Sequence, residues 1–298
     1  MKNLLHRLES GEILLSDGAM GTMLIDRGID TATCLESINL ENPELLTEIA
    51  GLYVDAGSDI IQTNTFGASP LKLAMYSLDD RTEEINRNAV IAARKAAGSD
   101  VYIMASCGPS GKILKPHGDC EPEEIFNSFK RQLATLIDSG ADALVVETMT
   151  DINEASLAVR AARELSNTIP IIASMTFDPT PRGFFTIMGV DIKTAAVRLE
   201  EAGANVIGSN CGNGIEKMIE ICRAFKNHSR LPVIIQANAG LPEMHGEKLI
   251  YPETPQFMAE KIRVLIDAGV SVIGGCCGTT PEHIAAFRKI IDSATVKK

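Results

Sequence analysis

The chain has no tryptophan and four tyrosines, and aromatic residues make up 4% of it. Few side chains are therefore available to stack on nucleic-acid bases. Positive charge is also scarce: 28 Lys and Arg stand against 39 Asp and Glu, a formal net charge of −11. That balance excludes nucleic acid and an anionic membrane as main partners. No apolar run is long enough to span a bilayer. The opening MKNLLHRLESGEILL is interrupted by His6, Arg7, Glu9 and Glu12, so it forms no signal-peptide core. A soluble, cytoplasmic protein is expected. Seven cysteines, an odd count without an export signal, argue against a disulfide framework and for metal binding or catalysis.

What is present is regular alternation. Short apolar segments at 13–17, 59–64, 101–106, 143–148, 171–177, 206–211, 233–238 and 271–276 read as strands buried on both faces. Between and after them, amphipathic helical patterns cover 44–56, 81–97, 122–139, 152–165, 191–202, 214–227, 255–268 and 281–291. Four helix-to-strand junctions share one theme: DAGSDIIQ, DSGADALV, EAGANVIG and DAGVSVIG each place a glycine where a left-handed helix stop is needed. Pro43, Pro255 and Pro281 suit first helical turns, with Thr280 as the cap before the last. Eight βα units predict a single-domain (β/α)8 TIM barrel spanning residues 1–298, with a short N-terminal helix over 2–10 plugging the bottom.

In such barrels the functional face lies at the C-terminal ends of the strands. There the sequence collects Asp17-Gly18, Gln62-Thr63-Asn64-Thr65, Ser106-Cys107-Gly108, Glu147-Thr148, Thr176-Phe177-Asp178, Asn210-Cys211, Asn238 and Cys276-Cys277. The adjacent pair in VIGGCCGTTPEH could be core filler, a strained vicinal disulfide or part of a metal site. Cys211 ends a strand of the same parity, and Gly274 and Gly275 offer backbone freedom for a sharp turn. Together these favour Cys211, Cys276 and Cys277 as three thiolate ligands of one zinc ion with an open position. Cys107 is the alternative fourth ligand, while Cys34, Cys120 and Cys222 are expected to pack as small hydrophobes.

Three anionic ligands make a poor hydroxide generator but a good seat for a substrate thiol, so thiol alkylation is the implied chemistry. Asp17 and Glu147 suit the ammonium group of an amino-acid tail. The turn Gly18-Ala19-Met20 can offer N–H groups to its carboxylate, and Asn64 is counted with these substrate contacts. Residues 212–214 begin like a dinucleotide loop but lack its third glycine. His117 and His245 are expected at the surface, and His6, His228 and His283 in structural or solvated places.

The ordered set DGAMGT (17–22), QTNTF (62–66), GPSG (108–111), ET (147–148), NC (210–211) and GGCCGT (274–279) resembles the zinc-dependent homocysteine S-methyltransferases. It is most similar to the homocysteine-binding barrel of cobalamin-dependent methionine synthase, over about residues 10–291. The resemblance implies zinc on Cys211, Cys276 and Cys277, homocysteine binding there as thiolate, and Asp17 and Glu147 at its amino group. It also implies methylation to methionine. No DxHxxG cobalamin signature is present, so a methylcorrinoid donor is expected on a separate protein. A sulfonium donor such as S-methylmethionine is the alternative, and a non-catalytic thiol- or zinc-binding module is the reading from another class.

Overall fold

The computed structural model describes residues 2–30, 32–246 and 248–295. Eight strands form one parallel sheet: β1 (Leu14–Leu15), β2 (Ile60–Gln62), β3 (Tyr102–Cys107), β4 (Ala143–Met149), β5 (Ile171–Met175), β6 (Val206–Asn210), β7 (Val233–Ala237) and β8 (Val272–Gly275). Neighbours in sequence are neighbours in space, β8 pairs with β1, and a parallel bridge between Ser16 and Ile60 joins β1 to β2. The ring is a (β/α)8 barrel, as the alternating pattern predicts.

Each strand is followed by an outer helix: α1 (Pro43–Asp55), α2 (Thr82–Ala97), α3 (Pro122–Asp138), α4 (Ile152–Leu165), α5 (Ile192–Ala202), α6 (Ile215–His228), α7 (Pro255–Asp267) and α8 (Pro281–Thr295). Asn42 and Thr254 cap α1 and α7 with side-chain oxygens, and both helices carry proline in the first turn. Gly57, Gly140, Gly203 and Gly269 all take positive φ, from 90° to 108°, so the four repeated junctions are left-handed helix stops.

Side chains alternate across each strand, and this sorts the barrel interior into layers. The lower interior is apolar: Leu14, Ile60, Tyr102, Met104, Ala143, Val145, Ile172, Val206, Ile234 and Val272 form one cluster. Leu4 and Leu8 of the N-terminal helix Leu4–Glu9 pack into it from below, so that helix closes the bottom. Residues on the other strand face, such as Leu15, Ile61, Ile103 and Leu144, join the larger cluster beneath the helices. Two positions further along the interior series the chemistry changes to Ser16, Gln62, Ser106, Glu147, Ser174 and Gln236, with Asn210 at the same end of β6. The apolar base fixes this polar layer at the barrel mouth.

Two features of this face go beyond the predicted barrel. Antiparallel hairpins, Asp178–Thr180 with Gly183–Phe185 and Glu243–His245 with Lys248–Ile250, follow β5 and β7. Among the described residues, no helix is long and apolar enough to cross a membrane.

Candidate active site

The strand ends bring Cys211, Cys276 and Cys277 together, with the three sulfurs within 4.8 Å of one another. β7 sets their height: the Cys211 N–H bonds the Gln236 carbonyl at 3.1 Å, and the Cys276 N–H bonds the Ala237 carbonyl at 2.8 Å. The Cys211 and Cys277 sulfurs are 3.9 Å apart, far beyond the roughly 2.05 Å of a disulfide. All seven cysteines are free thiols, so no vicinal disulfide is present.

The backbone device differs from the expected one. Gly274 and Gly275 do not take positive φ; Cys211 does, at 62°, and Gly278 does, at 80°. The two glycines provide room instead. A Cβ on Gly274 would lie 2.9 Å from the Ser16 Cβ, and one on Gly275 would lie 2.1 Å from the Thr279 Oγ1. Strand β8 ends at Gly275, and the Cys276 carbonyl accepts bonds from the Thr279 N–H (3.1 Å) and hydroxyl (2.7 Å). The chain therefore turns at the pair, and strand alternation no longer separates the two thiols.

Cys107 is not a member of the cluster. It is fully buried at the end of β3, with its sulfur 3.3 Å from the Gln132 Oε1, and burial pushes its thiol far above the usual range. Cys34, Cys120 and Cys222 are buried, as small hydrophobes are. Of the three clustered thiols, one is favoured as thiolate. Hydrogen bonds from Cys276 and Cys277 hold Cys211 well below the usual thiol range, and the same contacts raise Cys276 and Cys277. Asn238 also favours the Cys211 thiolate through its side chain, while its Oδ1 is buried without a partner.

This donor set fits zinc. Thiolates are soft ligands, and tetrahedral Zn–S bonds of about 2.3 Å place sulfurs roughly 3.8 Å apart. The observed 3.9 Å between Cys211 and Cys277 matches that spacing, and the Asn238 Oδ1 is a buried acceptor with no hydrogen-bond partner among the described residues.

Across the mouth lie two buried carboxylates. Asp17 Oδ2 accepts from the Gln62 N–H at 2.8 Å and Oδ1 from the Ser16 hydroxyl at 3.1 Å. Glu147 accepts from the Gln62 amide at 2.9 Å, from the Ser106 hydroxyl, and from the Asn210 amide at 3.2 Å. Neither forms an ion pair among the described residues. Burial pushes the Asp17 carboxyl up to about 7, the nearby Glu147 charge adding to the effect and the Gln62 and Ser16 donors opposing it. Burial likewise raises Glu147 to about 7, opposed by Ser106. Both are desolvated acids with no cation beside them among the described residues.

Gly18 and Ala19 are buried beside Asp17, and Met20 begins the short helix Met20–Asp26, whose first turn has no side-chain cap. The Ala19 N–H is directed to the Thr279 carbonyl at 3.4 Å. Asn64 stands apart from this group. Its amide nitrogen is already committed to the Leu35 carbonyl (2.8 Å) and the Asn39 side chain (2.9 Å), within the scaffold of the β2 loop.

Asn210 and the two glutamines are functional-face residues whose place the motif reading understated. The Asn210 amide reaches Glu147 and lies 4.0 Å from the Cys276 sulfur, while its Oδ1 accepts from the Thr148 N–H (2.8 Å) and the Ser174 hydroxyl (2.7 Å). Thr148 is thereby held at a φ of 58°, next to a register shift in β4. Gln236 donates to Gln62 at 2.7 Å, which extends the polar layer across the barrel. Continuing the period of two from the apolar interior residues would have located this layer.

The histidines lie outside the centre. His283 Nδ1 accepts from the Thr280 N–H at 3.1 Å, which leaves Nε2 to donate to the Glu253 carbonyl at 3.0 Å, so it is structural. His117 is exposed and lines a 310 Å³ cavity with Lys115, Arg160 and Arg198, a lining that includes none of the three cysteines. The His245 side chain lies outside what the structure describes.

The mouth of this (β/α)8 barrel thus joins three convergent cysteines to two buried carboxylates. Residues 14–291 match the sequence profile described as homocysteine S-methyltransferase, and the chain belongs to that family. It is 33% identical over 291 residues to methionine synthase of Mycobacterium leprae, and 35% identical over 294 residues to that of Mycobacterium tuberculosis. Those alignments cover 91% and 92% of this chain but 24% of each relative, so the chain spans about a quarter of their length. The metallated form of the Escherichia coli homocysteine methyltransferase MmuM superimposes with a TM-score of 0.80 at 25% identity, covering 97% of this chain and 99% of that one.

Proposed function

We propose that this barrel methylates homocysteine at sulfur, giving methionine, with zinc held by Cys211, Cys276 and Cys277. The observation that carries the reading is the three-sulfur cluster facing two buried, unpaired carboxylates across one barrel mouth. When bound, zinc would supply a site where a substrate thiol gives up its proton at neutral pH.

The chain's own residues orient the rest of the substrate. Asp17 and Glu147 take the ammonium group, which relieves two buried charges at once. Gly18 and the first turn beginning at Met20, which no side chain caps, would offer backbone N–H groups to the carboxylate, the Ala19 N–H being bonded to Thr279 instead. Asn210 touches both Glu147 and the Cys276 sulfur, so it fixes the spacing between the ammonium seat and the sulfur seat. A substrate held at both ends presents its sulfur in one direction, toward a methyl group arriving from the mouth. No general base at the sulfur is required once the thiol proton has left.

A methylcorrinoid is the proposed donor, and the similarity to the methionine synthases supports it. The full-length match to a single-barrel methyltransferase keeps a small sulfonium donor as the second reading. Zinc-loaded protein incubated with homocysteine and each donor in turn separates them. Methionine formed only with the methylcorrinoid protein supports the first donor; turnover with S-methylmethionine alone refutes it. Tight zinc-dependent homocysteine binding without methionine from any donor would make the barrel a binding module.

A further inference from the structure

The proposed substrate seat has its two ends on different segments: the Gly18–Met20 turn after β1 and the Cys276–Cys277 turn after β8. Backbone N–H groups tie these turns together. Gly275 donates to the Asp17 carbonyl at 2.9 Å and Gly278 to the Thr22 hydroxyl at 3.1 Å. The Ala19 N–H reaches the Thr279 carbonyl at 3.4 Å, which is long for such a bond. A side chain from the helix layer crosses the same seam. Tyr53 of α1 is fully buried, and its hydroxyl lies 3.1 Å from the Thr279 carbonyl and 3.3 Å from the Ala19 carbonyl. One phenol O–H is thus shared between the two turns. The fit is close: a Cβ on Gly18 would lie 2.9 Å from the Tyr53 Cε1 and 2.7 Å from the Thr279 Oγ1. Thr279 in turn donates its hydroxyl to the Cys276 carbonyl at 2.7 Å. A phenylalanine would fill the core here equally well, so the hydroxyl is the part that packing leaves unexplained.

We propose that Tyr53 is a positioning residue for the substrate: its hydroxyl holds the Gly18–Met20 turn against the Cys276–Cys277 turn and so fixes the distance between the carboxylate seat and the sulfur seat. The inference rests on the substrate reading above. Tyr53 acts through the backbone of the two turns and does not itself touch the ligand. A ligand that bridges both turns needs them at one spacing, and a small misplacement at one end is costly. The ammonium seat does not depend on this contact, because Asp17 and Glu147 are held by Ser16, Gln62 and Ser106.

Tyr53→Phe keeps the ring on Gly18 and removes the hydroxyl. Calorimetry on zinc-loaded wild-type and variant protein compares homocysteine with 3-aminopropane-1-thiol, which has the same thiol and ammonium but no carboxylate. Homocysteine should bind the variant about 5- to 10-fold more weakly, the scale of one hydrogen bond. Binding of 3-aminopropane-1-thiol should stay within about twofold of wild type. Unchanged homocysteine affinity overturns the role of Tyr53. So does an equal loss for both ligands, which is what a general loosening of the barrel mouth produces. Wild-type protein that binds the two ligands equally would instead refute the carboxylate seat, and the Tyr53 proposal with it.

Discussion

Asp17 and Glu147 show the conflict between stability and function most directly. Each is buried with no cation beside it among the described residues, and burial raises each carboxyl to about 7. The folded state therefore holds protons that the unfolded chain releases at about pH 4, the ordinary carboxyl range. Their contribution to stability is present at low pH and is lost as pH rises from about 4 through about 7. Asp17→Asn and Glu147→Gln should each flatten that part of the stability profile and leave the substrate-free protein as stable as wild type, or more so, at pH 8. Urea denaturation at pH 5 and pH 8 measures both effects. Substrate binding has the opposite sign, because an ammonium group needs the ionised acids. Homocysteine affinity, measured by calorimetry, should fall as pH drops from 8 to 6. Either substitution should lower kcat/KM by about 10- to 100-fold, the scale of one or two charge-assisted hydrogen bonds. An unchanged kcat/KM in both variants would remove the carboxylates from the substrate site.

Stability and chemistry are divided between the two ends of the barrel. The helix Leu4–Glu9 seals the bottom through Leu4 and Leu8, both nearly inaccessible to solvent. Leu8→Ala should cost about 3 kcal/mol, as leucine truncations in a packed core do, and leave kcat/KM at 25 °C within about twofold of wild type. Thermal melts and steady-state rates check the pair of outcomes. At the top, the ends of β4 and β6 are locked together through Asn210. Asn210→Ala strands the Thr148 N–H and the Ser174 hydroxyl, each at a cost of about 1–3 kcal/mol, and frees Thr148 from its left-handed conformation. This variant should lose both stability and turnover, unlike Leu8→Ala. Residues 251–253, which follow the β7 hairpin, lie over Gly214, Gly240 and Gly278 in the same upper layer.

The barrel as a whole was legible because its pattern repeats. Eight apolar segments, eight amphipathic helices and four glycine stops all agree, and local propensity and global topology reinforce one another. The cysteine cluster was legible from strand parity, since Cys211 and Cys276 both follow strands that flank β7. What stayed hidden depends on contacts between segments distant in sequence. Nothing near Tyr251 signals that it meets Gly278, nor does anything near Asn64 signal that Leu35 and Asn39 claim its amide. The role of Gly274 and Gly275 was likewise misassigned to backbone freedom, because steric crowding by Ser16 and Thr279 appears only in three dimensions. Both hairpins have strands of three residues, too short to show a period in the sequence.

In the proposed function, Cys211, Cys276 and Cys277 hold one zinc ion to which the substrate sulfur adds. X-ray absorption at the zinc edge, with and without homocysteine, tests it most directly. Wild-type protein should bind one zinc per chain with three sulfur neighbours at about 2.3 Å, rising to four when homocysteine is added. A sulfur count that stays at three with saturating homocysteine, or that is unaffected by Cys211→Ser, would contradict it.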